Sequence, residues 1–350
     1  MQLSAEARTQ LSEQKKQCVF CKIVSKEIQS QIVFEDKSAQ AILDIYPVVK
    51  GHILFFPKEH YPLLMYFEPV EIAPYYALVP QMVKAVKAAM VSTGVNVFIA
   101  SGGSAGQQSP HFVSHIIPRE PGDGFLNFLF KMKILLSSQT QQKMITTFPQ
   151  AFKQYFGSLG VEVPSQGSRP AWLELKISGA LVLFEDSEVL VCAPGKGLVE
   201  GHVEMYSKIE QKLVEKLSSN QAIHFFSIAA YVSSVLFSLL QLQGTNFILK
   251  SGTSDDNKEG VLCMNIIPRK QGDSLQGLLW QPVQAKYDLA PVAGKMKDST
   301  WSVKYSAPKV TNNEQKGEAS IKKGMVVDVP SRTILNTSSE IDEAVRKFWK

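Results

Sequence analysis

Apolar positions in the first third of the chain fall into short runs interrupted by one long helical stretch. Residues 32–34 and 41–43 read as short strands across a turn, and 51–56 reads as a third. From Val70 to Met90 the apolar residues Ile72, Tyr76, Val79, Met82, Val83, Val86 and Met90 recur at helical spacing, and Gly94 follows as a stop signal. Residues 95–100 and 112–117 then complete a sheet. Strands on both sides of a single helix, without strand–helix–strand alternation, predict an α+β unit with an antiparallel sheet.

The pattern returns with a constant offset of 150 residues. Phe34-Glu-Asp36 recurs as Phe184-Glu-Asp186, and Gly51-His52 as Gly201-His202. Gly94, Asn96, Ser101-Gly102 and Ile116-Ile-Pro-Arg119 return as Gly244, Asn246, Ser251-Gly252 and Ile266-Ile-Pro-Arg269. Self-similarity at one fixed period means two copies of one structural unit. Opposite the first helix lies an uncharged stretch from Ala222 to Ile248, long enough to cross a bilayer. His224, Gln241, Gln243 and several serines and tyrosines interrupt it, and the repeat makes it a buried helix at the seam between the copies.

The expected division is therefore 1–136 for the first unit, 137–170 for a connector, 171–298 for a second unit and 299–350 for a C-terminal arm. The connector holds a short helix around Gln141–Tyr155, and the chain after Trp280 finds no partner in the repeat. Pro308–Asn336 is polar, and Ser339-Glu-Ile-Asp342 resembles a capping box opening a last helix to Trp349. The arm is a candidate surface for a protein partner.

Composition adds limits. The chain has 350 residues, 45% hydrophobic and 20% charged, which is the balance of a globular protein with two domains. Its net charge of +5 suits anionic ligands without amounting to a nucleic-acid footprint. Four cysteines form no disulfide framework, the N-terminus shows no signal peptide, and a cytoplasmic location is expected.

Candidate chemistry gathers in Gly102-Gly-Ser-Ala-Gly-Gln-Gln-Ser-Pro-His-Phe-Val-Ser-His-Ile-Ile-Pro-Arg119. Glycines let backbone N–H groups wrap an anion, and a following strand with His111 and His115 could act on it. Positions 111, 113 and 115 share one strand face, but the middle residue is Val113. Cys18-Val-Phe-Cys21 is half of a metal site, a redox pair or a buried pair of thiols.

Taken together, Cys18-x-Phe-Cys-Lys-Ile23, Phe34-Glu-Asp36, Leu43-Asp-Ile-x-Pro47, Gly51-His-Ile-Leu-Phe-Phe-Pro-Lys-Glu-His60, Ala105-Gly-Gln107 and His111-x-x-x-His-Ile-Ile-Pro-Arg119 resemble the histidine triad (HIT) superfamily. The match runs from Cys18 to about Phe125, with a faded second copy to about Trp280. The resemblance implies two HIT-like units paired as an intrachain pseudo-dimer, similar in architecture to galactose-1-phosphate uridylyltransferase. It implies a structural zinc ion on Cys18, Cys21, His60 and His111. It also implies a nucleotide, with its ribose on Asp44, its base among Phe20, Ile42 and Ile45, and its phosphate at Ala105, Gly106 and Gln107. A turn-forming role before Tyr46-Pro47 is the alternative for Asp44.

HIT enzymes attack the α-phosphate with the middle histidine of the triad, and Val113 has no lone pair for it. His115 remains as the candidate catalytic residue, able to orient a phosphate or a water. In the second copy the zinc positions become Ser168, Ala171, Glu210 and Val261, Asp44 becomes Pro194, and the triad becomes Val261, Cys263 and Asn265. That copy reads as scaffold, with Cys263 a small buried residue. Three functions follow: a nucleotide-binding pseudo-enzyme, a slow phosphodiester hydrolase or transferase using His115, and an interaction scaffold. Acid–base help alone would give the second roughly 10²–10⁴-fold acceleration.

Overall fold

Turn residues cut the apolar runs into strands short enough to pair as one sheet. The computed structural model describes residues 5–64, 69–131, 133–210, 212–273 and 275–305, so the polar stretch Pro308–Asn336 and the helix expected to end at Trp349 lie outside the description. Two helices, α1 (Ala5–Gln17) and α2 (Val19–Val24), precede strands β1 (Ile32–Glu35), β2 (Ala39–Leu43) and β3 (Ile53–Pro57). Helix α3 (Pro69–Met90) leads to β4 (Gly94–Ser101), β5 (Ser114–Arg119), the two-residue β6 (Ile134–Leu135) and α4 (Ser138–Ser158). The second round runs through α5 (Ala171–Lys176), β7 (Leu181–Glu185), β8 (Val189–Ala193), β9 (Lys196–Gly197) and β10 (Val203–Ser207). It closes with α6 (Ser219–Leu240), β11 (Gly244–Gly252), β12 (Cys263–Arg269) and α7 (Leu289–Thr300).

Ten strands form a continuous sheet in the order β1-β2-β3-β5-β4-β11-β12-β10-β8-β7. The offset of 150 holds in the pairing itself. Phe34 faces Ala41 as Phe184 faces Val191, each beside a register shift, and Ile53 faces Ile116 as Val203 faces Ile266. At the centre β4 and β11 pair antiparallel from Gly94↔Gly252 to Ser101↔Thr245. The glycines at its two ends are steric requirements. A Cβ on Gly94 would lie 2.6 Å from the Thr253 carbonyl oxygen, and one on Gly244 2.8 Å from the Ala105 nitrogen. Beside the seam, buried Arg119 binds Asp123 at 2.6 Å and reaches Asp256 of the other half at 2.7 Å. A buried guanidinium is tolerable only with such pairing.

Helices α3 and α6 lie side by side over one face of the sheet, with Tyr76 stacked on Phe226 at 5.1 Å. The uncharged stretch thus divides between α6, opened by a Ser218/Gln221 capping box, and β11. By length and composition α6 could cross a bilayer; here Phe225, Phe226, Ile228, Val232 and Leu236 are buried in the protein core.

The stretch 137–170 differs from expectation. Its short helix is the 21-residue α4, which buries Met144, Phe148, Phe152, Tyr155 and Phe156 along one face. Phe152 stacks on Phe184 of β7 at 3.8 Å, and the Tyr231 hydroxyl of α6 donates to the Ala151 carbonyl. The chain after Trp280 also has a counterpart, because α7 starts 151 residues after the start of α4, one residue off the repeat. It packs on α3 and β1, where the Thr300 hydroxyl donates to the Val33 carbonyl. Each half sends its trailing helix to the other half's edge strand.

Val91, just past α3, has φ +56° and is 83% exposed. A β-branched side chain is strained in the left-handed region, where helix ends favour glycine. Val91→Gly is expected to raise stability by about 1 kcal/mol in chemical denaturation. A loss would show that the valine's contacts outweigh its backbone strain.

Candidate functional site

Helix α2 is capped by Cys18 and carries Cys21 one turn later, so both sulfurs face the same side. His60 follows the end of β3, and His111 lies in the loop three residues before β5 begins. The Cys18 sulfur is 3.4 Å from His111 Nδ1, and the Cys21 sulfur is 3.3 Å from His60 Nδ1 and 3.7 Å from His111 Nδ1. All four donor atoms lie within 4.8 Å of one another. Zinc bound tetrahedrally at about 2.3 Å from sulfur and about 2.0 Å from nitrogen separates those atoms by about 3.5 Å, so the donor set fits the ion. His111 Nε2 donates to the Pro57 carbonyl at 2.9 Å, which leaves Nδ1 free to ligate. The hydrogen bond from Cys21 holds the Cys18 thiol far below its ordinary value and pushes Cys21 up.

A second group forms beside it on the open face of the sheet. Phe20 meets Phe56 edge-on at 4.8 Å, and both pack with Ile42, Leu54 and Val113. Asp44, at the end of β2, does two things at once. Its Oδ1 accepts from the Tyr46 N–H at 2.8 Å, forming the turn, while Oδ2 lies 3.3 Å from His52 Nδ1. His52 Nε2 lies 3.1 Å from His115 Nδ1.

The second half keeps part of this arrangement. There His202 Nδ1 accepts from the Leu198 N–H at 3.2 Å, and Nε2 faces the Asn265 Oδ1 at 3.2 Å, an atom that only accepts. His52 Nδ1 lies between the Val48 N–H at 3.4 Å and the Asp44 carboxylate, which has no counterpart beside His202, where Pro194 stands. Burial pushes His52 and His115 down to about 3, with His52 adding to the effect on His115, so both are neutral at physiological pH. Burial pushes the Asp44 carboxyl up.

The remaining residues singled out in the sequence lie as follows. Ile45 is 55% exposed and bonded through its carbonyl to the Ala285 N–H, away from the Phe20–Ile42 wall. The Gln107 side chain turns inward, accepting from Gly102 N–H and donating to the Pro62 and Ser109 carbonyls, so it closes the glycine loop. Ala105 is buried with its carbonyl held by Asn246, and Gly106, at φ +84°, leaves only 2.3 Å between a hypothetical Cβ and Leu279. Ser114 faces α3, where its hydroxyl accepts from Tyr75. Cys263 is buried and its thiol is pushed up to about 12 by that burial.

Two residues escaped the sequence reading. Trp280, from the far end of the second half, lies 5.4 Å from the His115 ring and 5.8 Å from His52. His52 itself was visible only as part of the repeated Gly-His pair.

The HIT domain pattern matches residues 25–122. Protein hit of Bacillus subtilis is 39% identical over 109 residues, which are 31% of this chain and 75% of that protein. The chain belongs to the HIT family. An adenylylsulfatase of Arabidopsis thaliana is 36% identical to this HIT chain over 120 residues, 34% of the chain and 61% of that enzyme. Across 80% of the chain the fold is similar to an ADP-glucose phosphorylase from Arabidopsis thaliana with bound ADP-glucose, at 17% identity, 89% coverage of that chain and a TM-score of 0.50.

Neutral buried histidines make this HIT protein acid-sensitive. His52 and His115 near 3, and His202 pushed by burial to about 4, all lie below the ordinary 6.5. Between those values the unfolded chain binds more protons, so this stability is complete above pH about 6.5 and falls as pH drops. Each group contributes about 1.4 kcal/mol per pH unit in that window. Urea denaturation from pH 7 to pH 5 is expected to show the loss, with a shallower slope in His202→Gln. An unchanged slope in that variant would mean His202 is protonated in the folded protein.

Proposed function

We propose that this chain is a nucleotide-binding HIT protein that holds its ligand's phosphate without forming a nucleotidyl-histidine. The observation that carries this reading is Val113. A hydrocarbon fills the nucleophile position and packs with Ile42 and Phe56, while the polar chain Asp44–His52–His115 is intact. His115 is a neutral imidazole, whose ring N–H is a donor suited to a phosphate oxygen. A general base works best near the operating pH, and an imidazole near 3 is too weak a base to favour slow hydrolysis. Asp44 would take the ribose hydroxyls, Phe20 and Ile42 the base, and the loop at Ala105–Gly106 the phosphates. Pro194, Cys263 and Asn265 support a second half that serves as scaffold within an internal pseudo-dimer.

The ligand test is thermal unfolding with AMP, adenylyl sulfate and ADP-glucose, the last two taken from the relatives' chemistry. Ligand at 100 times Kd adds about 2.7 kcal/mol to the folded state. A shift in melting temperature with one of these compounds is expected, absent in Asp44→Ala. Val113→His is expected to gain a covalent nucleotidyl adduct that the natural chain never forms. No shift with any compound, or turnover by the natural chain that His115→Ala abolishes, would overturn the reading.

The same reading places a structural zinc ion on Cys18, Cys21, His60 and His111, where it would tie α2 to the end of β3 and the loop before β5. Metal analysis is expected to find one zinc per chain, lost in Cys18→Ser. Chelation should speed hydrogen exchange in α2 while leaving α5 unchanged. A metal-free chain with a slow-exchanging α2 would exclude the ion.

A further inference from the structure

Cys21 has two surroundings at once. Its sulfur belongs to the donor group, within 4.8 Å of the Cys18 sulfur, and the residue also lines a cavity of about 700 Å³ between α2, the end of β3 and α3. Val24, Ser38, Pro57 and Pro74 form walls of that cavity. Cys18, the cap of the helix, is 1% exposed, whereas Cys21 is only partly buried. A small solute that enters the cavity therefore reaches Cys21 first, with Cys18 behind it.

The pair is spaced for a covalent bond. Residues three apart in a helical turn stand about 5–6 Å apart, and a disulfide spans roughly 4.4–6.8 Å between Cα atoms. The other two cysteines are not so placed. Cys192 on β8 and Cys263 on β12 have β10 between them, two strand spacings or about 9.5 Å apart, and both are buried. They serve as an internal comparison for the reactivity of the first pair.

The second half offers a comparison for the corner as well. Ser168 and Ala171 stand at the cysteine positions, and the segment before α5 is fixed by ions instead. Arg169 binds Glu185 at 2.6 Å, and Lys208 binds Glu185 at 2.9 Å and the Gln166 carbonyl. Contacts of that kind do not respond to an oxidant. The same fold thus accepts a redox-inert fastening at this corner, and only the first half fastens it through sulfur.

We infer that Cys18 and Cys21, reached through this cavity, are a pair that hydrogen peroxide oxidises to a disulfide, releasing α2 from the sheet corner. The Cys21 thiolate attacks one peroxide oxygen, the O–O bond breaks and hydroxide leaves, giving a sulfenic acid. The Cys18 thiolate then attacks the Cys21 sulfur; the S–S bond forms, the S–O bond breaks and a second hydroxide leaves. Two thiolates lose two electrons in all, and one peroxide gains them. A disulfide offers no thiolate to a metal, so His60 and His111 alone remain of the four donors and the tie from α2 to the end of β3 is lost. Phe20 lies between the two cysteines, edge-on to Phe56 at 4.8 Å, so one wall of the proposed base slot loosens with α2. The release of α2 rests on the zinc reading and its effect on the base slot on the nucleotide reading; the oxidation rests on neither.

The test uses the full chain, purified under reducing conditions with its zinc content measured, then treated with a small excess of hydrogen peroxide. Alkylation, trypsin digestion and mass spectrometry follow the peptide Gln17–Lys22, which holds both cysteines. It is expected to lose two hydrogens and its reaction with the alkylating agent at least about tenfold faster than Cys192 or Cys263 is oxidised. Zinc should appear in solution in step, hydrogen exchange should rise about tenfold in α2 and stay unchanged in α5, and dithiothreitol should reverse the bond. Ser25→Trp, at an exposed lining position beside α2, is expected to slow the oxidation about tenfold by filling the entrance. Thiols that remain alkylatable, oxidation no faster than that of Cys192, a rate unchanged in Ser25→Trp, or unchanged α2 exchange in the disulfide form of a zinc-loaded chain would overturn the inference. A chain purified without zinc that still forms this disulfide would support the pair and remove the metal reading alone.

Discussion

Everything on the open face of this protein depends on the antiparallel pairing of β4 with β11. That seam brings the halves so close that side chains are excluded at its ends, where Gly94, Gly102, Gly244 and Gly252 meet opposing backbone. Once the seam is set, the segments after β5 and β12 reach across it. Trp280 of the second half then lies against His52 and His115, and Phe130 of the first lies 6.3 Å from His202. The burial that makes His115 neutral therefore arises partly from a residue 165 positions away. A single half would lack that cover, its edge-strand helix and its seam partner together.

Within this shared frame the halves solve the same local problems with different chemistry. The segment leading into the short helix must be fixed to the sheet corner. The first half brings two thiols and two imidazoles together there; the second uses Arg169 with buried Lys208 and Glu185, an ionic cluster whose charges are paired. The polar chain on the open face diverges as well. Asp44–His52–His115 becomes Pro194, His202 and Asn265, with only the central imidazole retained. His202 keeps the same backbone bond, to Leu198 N–H, that His52 makes to Val48 N–H. The histidine after each glycine is thus part of the fold in both halves, and its outer nitrogen was left to acquire a role in one.

Local pattern was enough to read the strands, α3 and the repeat, because each depends on spacing within a few residues or on a repeated motif, whereas the set Cys18, Cys21, His60 and His111 came from the family resemblance. What it could not supply is non-local. The helix within 137–170 is amphipathic, yet nothing in its sequence says that it packs on β7 rather than on the half it follows. Trp280 carries no motif at all. Gln107 sits in the expected phosphate loop, but three backbone groups compete for its amide and win, because a buried loop must satisfy its own N–H and C=O groups first. Ile45 had the right composition for a base slot and sits one residue past the turn that Asp44 forms, which turns it outward.

Val113 and the neutral imidazole of His115 are two parts of one arrangement. A nucleophilic imidazole at position 113 would need a polar neighbourhood able to stabilise its charged intermediate. The surroundings here are Ile42, Phe56 and Leu54, hydrocarbon that penalises any charge. His115 escapes that penalty by staying neutral, and burial beneath Trp280 and beside His52 is what keeps it so. On the proposed reading a histidine at position 113 regains a lone pair, and the negative phosphate of the bound nucleotide offsets the charge that forms on it inside this hydrocarbon.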